Sequence, residues 1–450
     1  MATNSLKWLA LLGGVALGSA TMAVAQDSGP LIDTLVKKGY LTDQEGEDLR
    51  VEMLKDFGGS SAGKLDISSA VTKLKISGDV RVRYQYDDEV SNNSVDKDND
   101  RNRYRYRVRF GALADLGPKW SVGLRMETAS GATSTNDDFG AAGSTNFDKT
   151  GNTFFVGQAF LNYKDSDVLG ADKLDIRIGK HAHPFFNPGV NGFWIDSDIN
   201  FEGVSEEIVY SVGNDYTTSV RAGQYILANN ARGTFGSTNS PSMMFIAQAE
   251  LAKGKTWKLA PTLVAFDNST AFNGLTSPPA ISNSDTNNYK DLVTVLLPFE
   301  YNTKFAGQPT SFYATYGYNF AGEERYKRLY GTTTTPVTVG GNDFAQMFNA
   351  GIKYGAGKLA GEYTITAEYR YIEPGAYTSL LLDSDFNGGR LGGQGPILSF
   401  SYNLTEAVNT TVTYFSAFNV DNRSGGGNFT GAPNSFGRAD VLQIDLSAKF

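Results

Sequence analysis

The sequence contains no cysteine and only two histidines, His181 and His183. Without thiols there is neither a disulfide framework nor a thiolate metal site. Two imidazoles with Pro184 directly behind them and no third ligand adjacent fall short of a zinc site, so no metal and no cofactor are expected. Missing too is an apolar run able to cross a bilayer as a helix, which takes about 20 residues; the run from Trp8 to Leu17 is too short and is broken by Gly13 and Gly14. No serine or histidine stands in a motif that sets a nucleophile beside a base, so an enzyme is not expected. Acid outweighs base, 48 residues against 40, for a formal net charge of −8, which disfavours nucleic acid as a partner.

What is abundant is glycine, phenylalanine and tyrosine, at 50, 28 and 23 residues, set in segments that alternate polar with apolar. In Arg103-Tyr104-Arg105-Tyr106-Arg107-Val108-Arg109-Phe110 every odd position is arginine and every even one aromatic or apolar. A helix would scatter these side chains, whereas a strand sorts them into one cationic and one apolar face. The alternation begins at Leu74–Tyr86, where Ile76, Val80, Val82, Tyr84 and Tyr86 oppose Lys75, Asp79, Arg81, Arg83 and Gln85, and recurs to the last residue in sixteen strand-sized pieces. The buried helices and continuous apolar runs of a large soluble core do not accompany it. An all-β fold, a transmembrane antiparallel β-barrel of about 16 strands, accounts for the pattern with its apolar face on lipid and its polar face on water. It also accounts for a mean hydropathy of −0.29, because inward and outward residues cancel. The connections alternate in length: 115–119, 213–215, 252–256 and 405–408 are short, while 87–102, 130–152, 229–242, 267–288, 321–342, 373–395 and 419–437 are long. Short periplasmic turns and long external loops are the habit of outer-membrane barrels, and a secreted soluble β protein has no reason to follow it.

Residues 1–25 read as a secretory signal peptide, with Lys7, the apolar run and Ala23-Val24-Ala25 before Gln26. Its removal, Lys7 included, leaves a net charge of −9. Residues 26–70 form a short helical periplasmic segment and a linker. Leu31, Ile32, Leu35 and Val36 share a helix face, Gly39 caps its end, Thr42-Asp43-Gln44-Glu45 opens a second helix, and Gly58–Gly63 is a flexible joint. The segment is either a solvated spacer or a periplasmic contact or plug. The barrel occupies residues 71–450.

Arg81, Arg83, Arg103, Arg105, Arg107 and Arg109, joined at inward phase by Arg125, Arg177 and Arg221, are the candidate pore-lining residues. Arginines along a lumen favour anions, unless Asp79, Glu127 and Asp175 pair with them and leave a polar wall without selectivity. The connection between the fifth and sixth strands is stiffened by prolines and aromatics. His183, Pro184, Phe185, Phe186, Trp194, Asp196, Asp198 and, just beyond, Glu202 are its candidate functional residues. It either enters the lumen, setting carboxylates against the arginine wall so that a transverse field orients dipolar solutes, or packs on the rim or at a subunit contact. In the last strand Leu442, Ile444, Leu446, Ala448 and Phe450 share one face. Ending on an outward aromatic resembles the C-terminal assembly signal of bacterial outer-membrane barrels.

Together the leader, Leu35-Val36-Lys37-Lys38-Gly39-Tyr40-Leu41-Thr42, the opening strand Leu74-Lys75-Ile76-Ser77-Gly78-Asp79-Val80-Arg81-Val82-Arg83-Tyr84, the run Arg177-Ile178-Gly179-Lys180 with Pro184-Phe185, and Phe450 resemble the putative porins of Gram-negative bacteria, relatives of the phosphate-selective porin O and P group. The resemblance spans essentially the mature chain. It implies a sixteen-stranded, homotrimeric diffusion channel for small hydrophilic solutes and ions in the cell outer membrane, narrowed by an inward-folded third loop. The implied partners are outer-membrane lipid and the barrel assembly machinery. Phosphate selectivity is not implied, since the N-terminal arginine run does not make a full anion staircase. The competing class is a plugged or adhesive barrel acting through its external loops; very long or repetitive loops would mark it, and these are moderate and unlike one another.

Overall fold

The computed structural model describes residues 29–49, 51, 67–91, 100–129, 134–140, 154–213, 215–228, 241–267, 292–330, 344–420 and 436–450. The expected signal peptide, the joint at 58–63 and much of several long loops lie outside the described residues. The chain divides into two compact units, one ending at Ser68 and one beginning at Ser69.

In the first unit, α1 (Gly29–Lys37) stops where Gly39 turns left-handed at φ +74°. The Tyr40 N–H donates to the Leu35 carbonyl at 3.0 Å and the Gly39 N–H to that of Val36 at 2.9 Å, which satisfies the last carbonyls of the helix. Helix α2 (43–49) opens with reciprocal bonds. The Glu45 N–H donates to the Thr42 hydroxyl at 3.2 Å, and the Glu45 carboxylate accepts from the Thr42 N–H at 2.8 Å, a capping box.

The second unit is one antiparallel sheet of 18 segments. In order these are β1 (Lys73–Ser91), β2 (Arg101–Asp115), β3 (Trp120–Thr128), β4 (Asp137–Asp138), β5 (Phe154–Asp165), β6 (Lys173–Ala182), β7 (Asn200–Ser211), β8 (Tyr216–Ala228) and β9 (Ser242–Lys253). They continue as β10 (Trp257–Leu259), β11 (Thr262–Asp267), β12 (Val293–Phe305), β13 (Gln308–Asn319), β14 (Gln346–Tyr354), β15 (Tyr363–Ile372), β16 (Gly393–Asn403), β17 (Val408–Asn419) and β18 (Phe436–Lys449). Segments β10 and β11 are one stave, both lying between β9 and β12. It is interrupted at Ala260-Pro261, where proline has no N–H for the ladder. The two-residue β4 pairs with β2 alone. Sixteen staves remain, and β1 pairs with both β2 and β18, closing the barrel.

Each of the sixteen expected strands is present, and β1 and β2 run further into their connection than the apolar alternation reaches. Helix α3 (Gly322–Tyr330), with Glu323 and Glu324 in its first turn, was not foreseen in a stretch read as loop.

The wall is inverted relative to a soluble sheet. On β1 and β2 Val80, Val82, Tyr104 and Phe110 are 40–62 % exposed, while Asp79, Arg83, Arg105 and Arg107 are under 10 %. Hydrophobic side chains outside and charged ones inside are what a wall between lipid and water requires. The seam is finished by the last residue: the Gly78 N–H donates to the Phe450 carbonyl at 3.0 Å and the Phe450 N–H returns to Gly78 at 3.1 Å. A β-carbon on Gly78 would collide with the Phe450 ring and the Arg109 carbonyl. Glycine is there because the terminal ring lies over it.

Candidate functional site

Strand register sets Arg107 opposite Arg81, Arg105 opposite Arg83 and Arg103 opposite Gln85. Like charges facing one another repel, and carboxylates intervene. Asp79 accepts from Arg107 Nε at 3.0 Å and Arg109 Nε at 2.6 Å. Asp445 of β18 takes both arms of Arg83, at 2.7 and 2.9 Å. Arg103 meets Asp87 at 2.9 Å and Arg105 meets Asp138 at 2.7 Å. Farther round, Arg125 pairs with Glu127 at 2.7 Å, Arg177 with Asp175 at 3.3 Å, and Arg221 with Glu207 at 2.7 Å and Glu250 at 3.0 Å. Arg81 differs. Its Nη2 donates to Asn136 at 2.5 Å, its nearest carboxylate, Asp445, is 3.8 Å away, and its Nε has no hydrogen-bond partner. The nine arginines therefore belong to a largely neutralised wall.

Opposite stand two loops. In the one at 183–199, joining β6 to β7, Phe193, Trp194 and Ile195 are wholly buried. Its Asn187 side chain braces the turn, donating to the Ile195 carbonyl and accepting from the Phe193 and Trp194 N–H groups. These aromatics pack with Tyr377, Leu381, Leu382 and Phe386 of the 373–392 loop, between β15 and β16, and with inward Tyr225, Met244, Ile246, Leu296, Met347, Ile397 and Phe415. One side of the inner wall is thus apolar, and burying it draws both loops in. The loops also bond to each other: the Asp196 N–H to the Leu381 carbonyl at 2.7 Å, Asn191 to Asp385 at 3.1 Å, and the Ser384 N–H to the Asp196 carboxylate at 3.2 Å.

Arg370 of β15 holds the pair of loops to the wall. It meets Glu368 at 2.7 Å and Asp383 at 3.0 Å, donates to the Val190 and Gly192 carbonyls, and lies over the Phe193 and Phe386 rings at 5.9 and 5.4 Å. Glu368 also accepts from the Val190 N–H at 2.7 Å and the Tyr313 hydroxyl at 2.8 Å. A buried charge is tolerated when it is paired and hydrogen-bonded in this way.

Between arginine wall and loops lies a cavity of about 350 Å³, with Arg81, Arg107 and Arg109 on one side and Asp196, Asp198 and Asp385 on the other. Asp198 stands 3.6 Å from Arg107 and 3.9 Å from Arg109. Burial and the neighbouring Asp383 and Asp198 carboxylates push Asp196 up to about 9. Asp385, less enclosed, is held below its ordinary value by Arg83 and Arg81 against the opposing effect of burial.

Of the other candidate residues, His183 stacks on Phe185, which reaches the Trp194 and Tyr225 rings. Pro184 is half-buried between them. The Phe186 ring lies beneath Lys258, and its N–H donates to Gln248. Glu202 does not face the arginines. It lies in β7, 62 % exposed on the outer side and 3.3 Å from Lys180, because pairing of Phe201 with His181 turns the odd residues of this strand inward. Ile444, Leu446 and Phe450 are exposed on the outer face, which Leu442 shares. The 373–392 loop and its anchors, Tyr313, Asn349, Glu368, Arg370 and Asp383, were not singled out from sequence. The available signal was the density of Tyr377, Leu380, Leu381, Leu382 and Phe386 in a supposedly external loop.

A closed antiparallel sheet, lipophilic outside and charged within, is a porin-type barrel of the bacterial outer membrane. The sequence matches the family described as putative porin over residues 87–260 and 282–450, and the chain belongs to it. The structure is similar to Pseudomonas putida OprB at high pH, with 14% identity and a TM-score of 0.46 over 88% of this chain and 97% of that one. It is also similar to Salmonella typhi OmpF in complex with daunomycin, with 11% identity and a TM-score of 0.48 over 85% and 99%. A mutant of the Rh. blastica porin gives 10% identity and a TM-score of 0.42 over 84% and 100%. No curated protein matches the sequence.

Proposed function

We propose that the chain is a diffusion channel for small hydrophilic solutes and ions, narrowed at the cavity between the arginine wall and the two inward loops. The observation that carries this reading is that cavity of about 350 Å³ with guanidinium groups on one side and carboxylates on the other. At roughly 30 Å³ per water it has room for about ten waters or one small solute, and the opposed charges set a transverse field that orients dipoles. Because Asp79, Asp445 and Asp385 sit against the arginines, anion preference is weak. On this reading residues 1–25 are removed on export, residues 26–70 lie in the periplasm, the channel is a homotrimer, and Phe450 directs assembly through the barrel assembly machinery.

The test is single-channel conductance in planar bilayers, with the reversal potential measured under a salt gradient at low ionic strength, where charges are least screened. A steady ohmic conductance with a small reversal potential is expected. A second reading, a plugged barrel acting through its external loops, is favoured by the apolar packing of both loops against the inner wall. Correctly assembled barrels that conduct nothing would select it.

A further inference from the structure

The cavity between the arginine wall and the two loops is walled by polar residues alone: each is an arginine, an aspartate, a serine or an asparagine. Several of their side chains have hydrogen-bonding capacity to spare. Arg107 gives Nε and Nη2 to Asp79, at 3.0 and 2.8 Å, and Arg109 gives it Nε at 2.6 Å. Their Nη1 atoms face Asp198 Oδ1 at 3.6 and 3.9 Å, beyond hydrogen-bond length. Arg81 gives Nη2 to Asn136 and leaves Nη1 3.8 Å from Asp445. Asp198 is fixed by its other oxygen, which accepts from the Thr135 hydroxyl at 2.9 Å, and by its N–H, which donates to Asp196 at 2.9 Å. Among the described residues, three guanidinium Nη1 atoms and one carboxylate oxygen of the groups lining this cavity therefore make no hydrogen bond. The two remaining carboxyl groups are committed. Asp385 accepts from Arg83 at 3.4 Å and from Asn191 at 3.1 Å, and Asp196, raised to about 9, is protonated in neutral water.

A lone anion drawn to the guanidinium groups meets Asp198, and a lone cation drawn to Asp198 meets three guanidinium groups. A neutral solute gains only the weaker, uncharged kind of hydrogen bond on both sides. A molecule with a carboxylate and an ammonium on one carbon satisfies both, and the short separation of the opposed charges suits two solute charges held that close together. An apolar side chain would find no apolar surface here for which to leave water. We infer that this cavity takes small, polar α-amino acids, the solute carboxylate accepting from Arg81, Arg107 and Arg109 and its ammonium donating to Asp198. The inference rests on the channel reading above and names the solute.

Uptake into proteoliposomes at micromolar solute tests it. Labelled serine is set against erythritol, a neutral molecule of similar size, and against leucine, a zwitterion with an apolar side chain. Serine should enter on the order of tenfold faster than erythritol, about what one net charge-assisted hydrogen bond contributes, and leucine should not share the gain. In Arg81→Gln and in Asp198→Asn the ratio of serine to erythritol uptake should fall toward one. A wild-type ratio of one, leucine entering as fast as serine, or a ratio that both variants keep would overturn the inference. Saturation-transfer NMR of serine with the detergent-solubilised wild-type barrel reads the site apart from conduction. Transfer to serine from barrels that admit neither serine nor erythritol would sink the channel reading and leave the site standing, whereas no transfer would overturn the site.

Discussion

At the scale of single residues, the arginines of the inner wall differ in what they can do. Arg83 is buried and doubly held by Asp445, so losing it leaves a buried carboxylate exposed to its own desolvation. Arg83→Leu should destabilise the assembled barrel by about 3–5 kcal/mol, the range for breaking a buried pair, read as a lower heat-modification temperature. Arg81 is bound mainly to a neutral amide. Its charge is the least compensated at the cavity, so Arg81→Gln should move the reversal potential toward cations with little change in stability. An Arg83→Leu effect on selectivity larger than that of Arg81→Gln would show that pairing does not decide which arginine the ions feel.

Asp196 adds a pH dependence whose sign follows from its raised titration point of about 9. Below that point it is neutral; above it the cavity gains a negative charge beside Asp198 and Asp385, facing Arg81, Arg107 and Arg109. The reversal potential should therefore shift toward cations between roughly pH 8 and 10. Asp196→Asn should abolish that step, and its persistence in the variant would assign it to another group.

Among the elements, the 183–199 and 373–392 loops behave as one body, because their aromatics share a core and Arg370 contacts both. Arg370→Met strands Glu368 and Asp383, and Lys would not restore a fork that serves two carboxylates and two carbonyls. The staves are bonded independently of it, so Arg370→Met should assemble yet show higher and noisier conductance. Replacing residues 376–391 by a short Gly/Ser connection should have the same effect, since the 183–199 loop loses its packing partner. Conductance at the wild-type level in both variants would place the narrowest point elsewhere.

For the whole molecule, closure depends on the seam between the first and last staves, which Phe450 and Gly78 finish. Removing Phe450, or changing Gly78 to Val, should lower the yield of assembled barrels several-fold while leaving the conductance of those that form unchanged, because both residues face outward. A normal yield from both would mean that the seam is set by the rest of the β1–β18 ladder.

Sequence by itself determined the staves, the inward and outward phases of β1, β2, β3 and β18 and the capped helix pair, because these properties are local: a period of two sorts neighbouring side chains, and Thr42 and Glu45 cap a helix within one turn. The arginine ladder needed no partner to be recognised. The partners Asp79, Glu127 and Asp175 were legible as neighbours in the alternation, whereas the pairing of Arg83 with Asp445 and Asp385 was decided only in three dimensions, because both lie far along the chain and are brought near by closure and by an inward loop. Glu202 turned outward for a similar reason: its phase is set by register with β6 across a loop, and no local period crosses that loop. The 373–392 loop reads as one more connection until the apolar inner wall it covers is assembled from staves spread over much of the barrel, and only then does burying that surface outweigh leaving the loop in water.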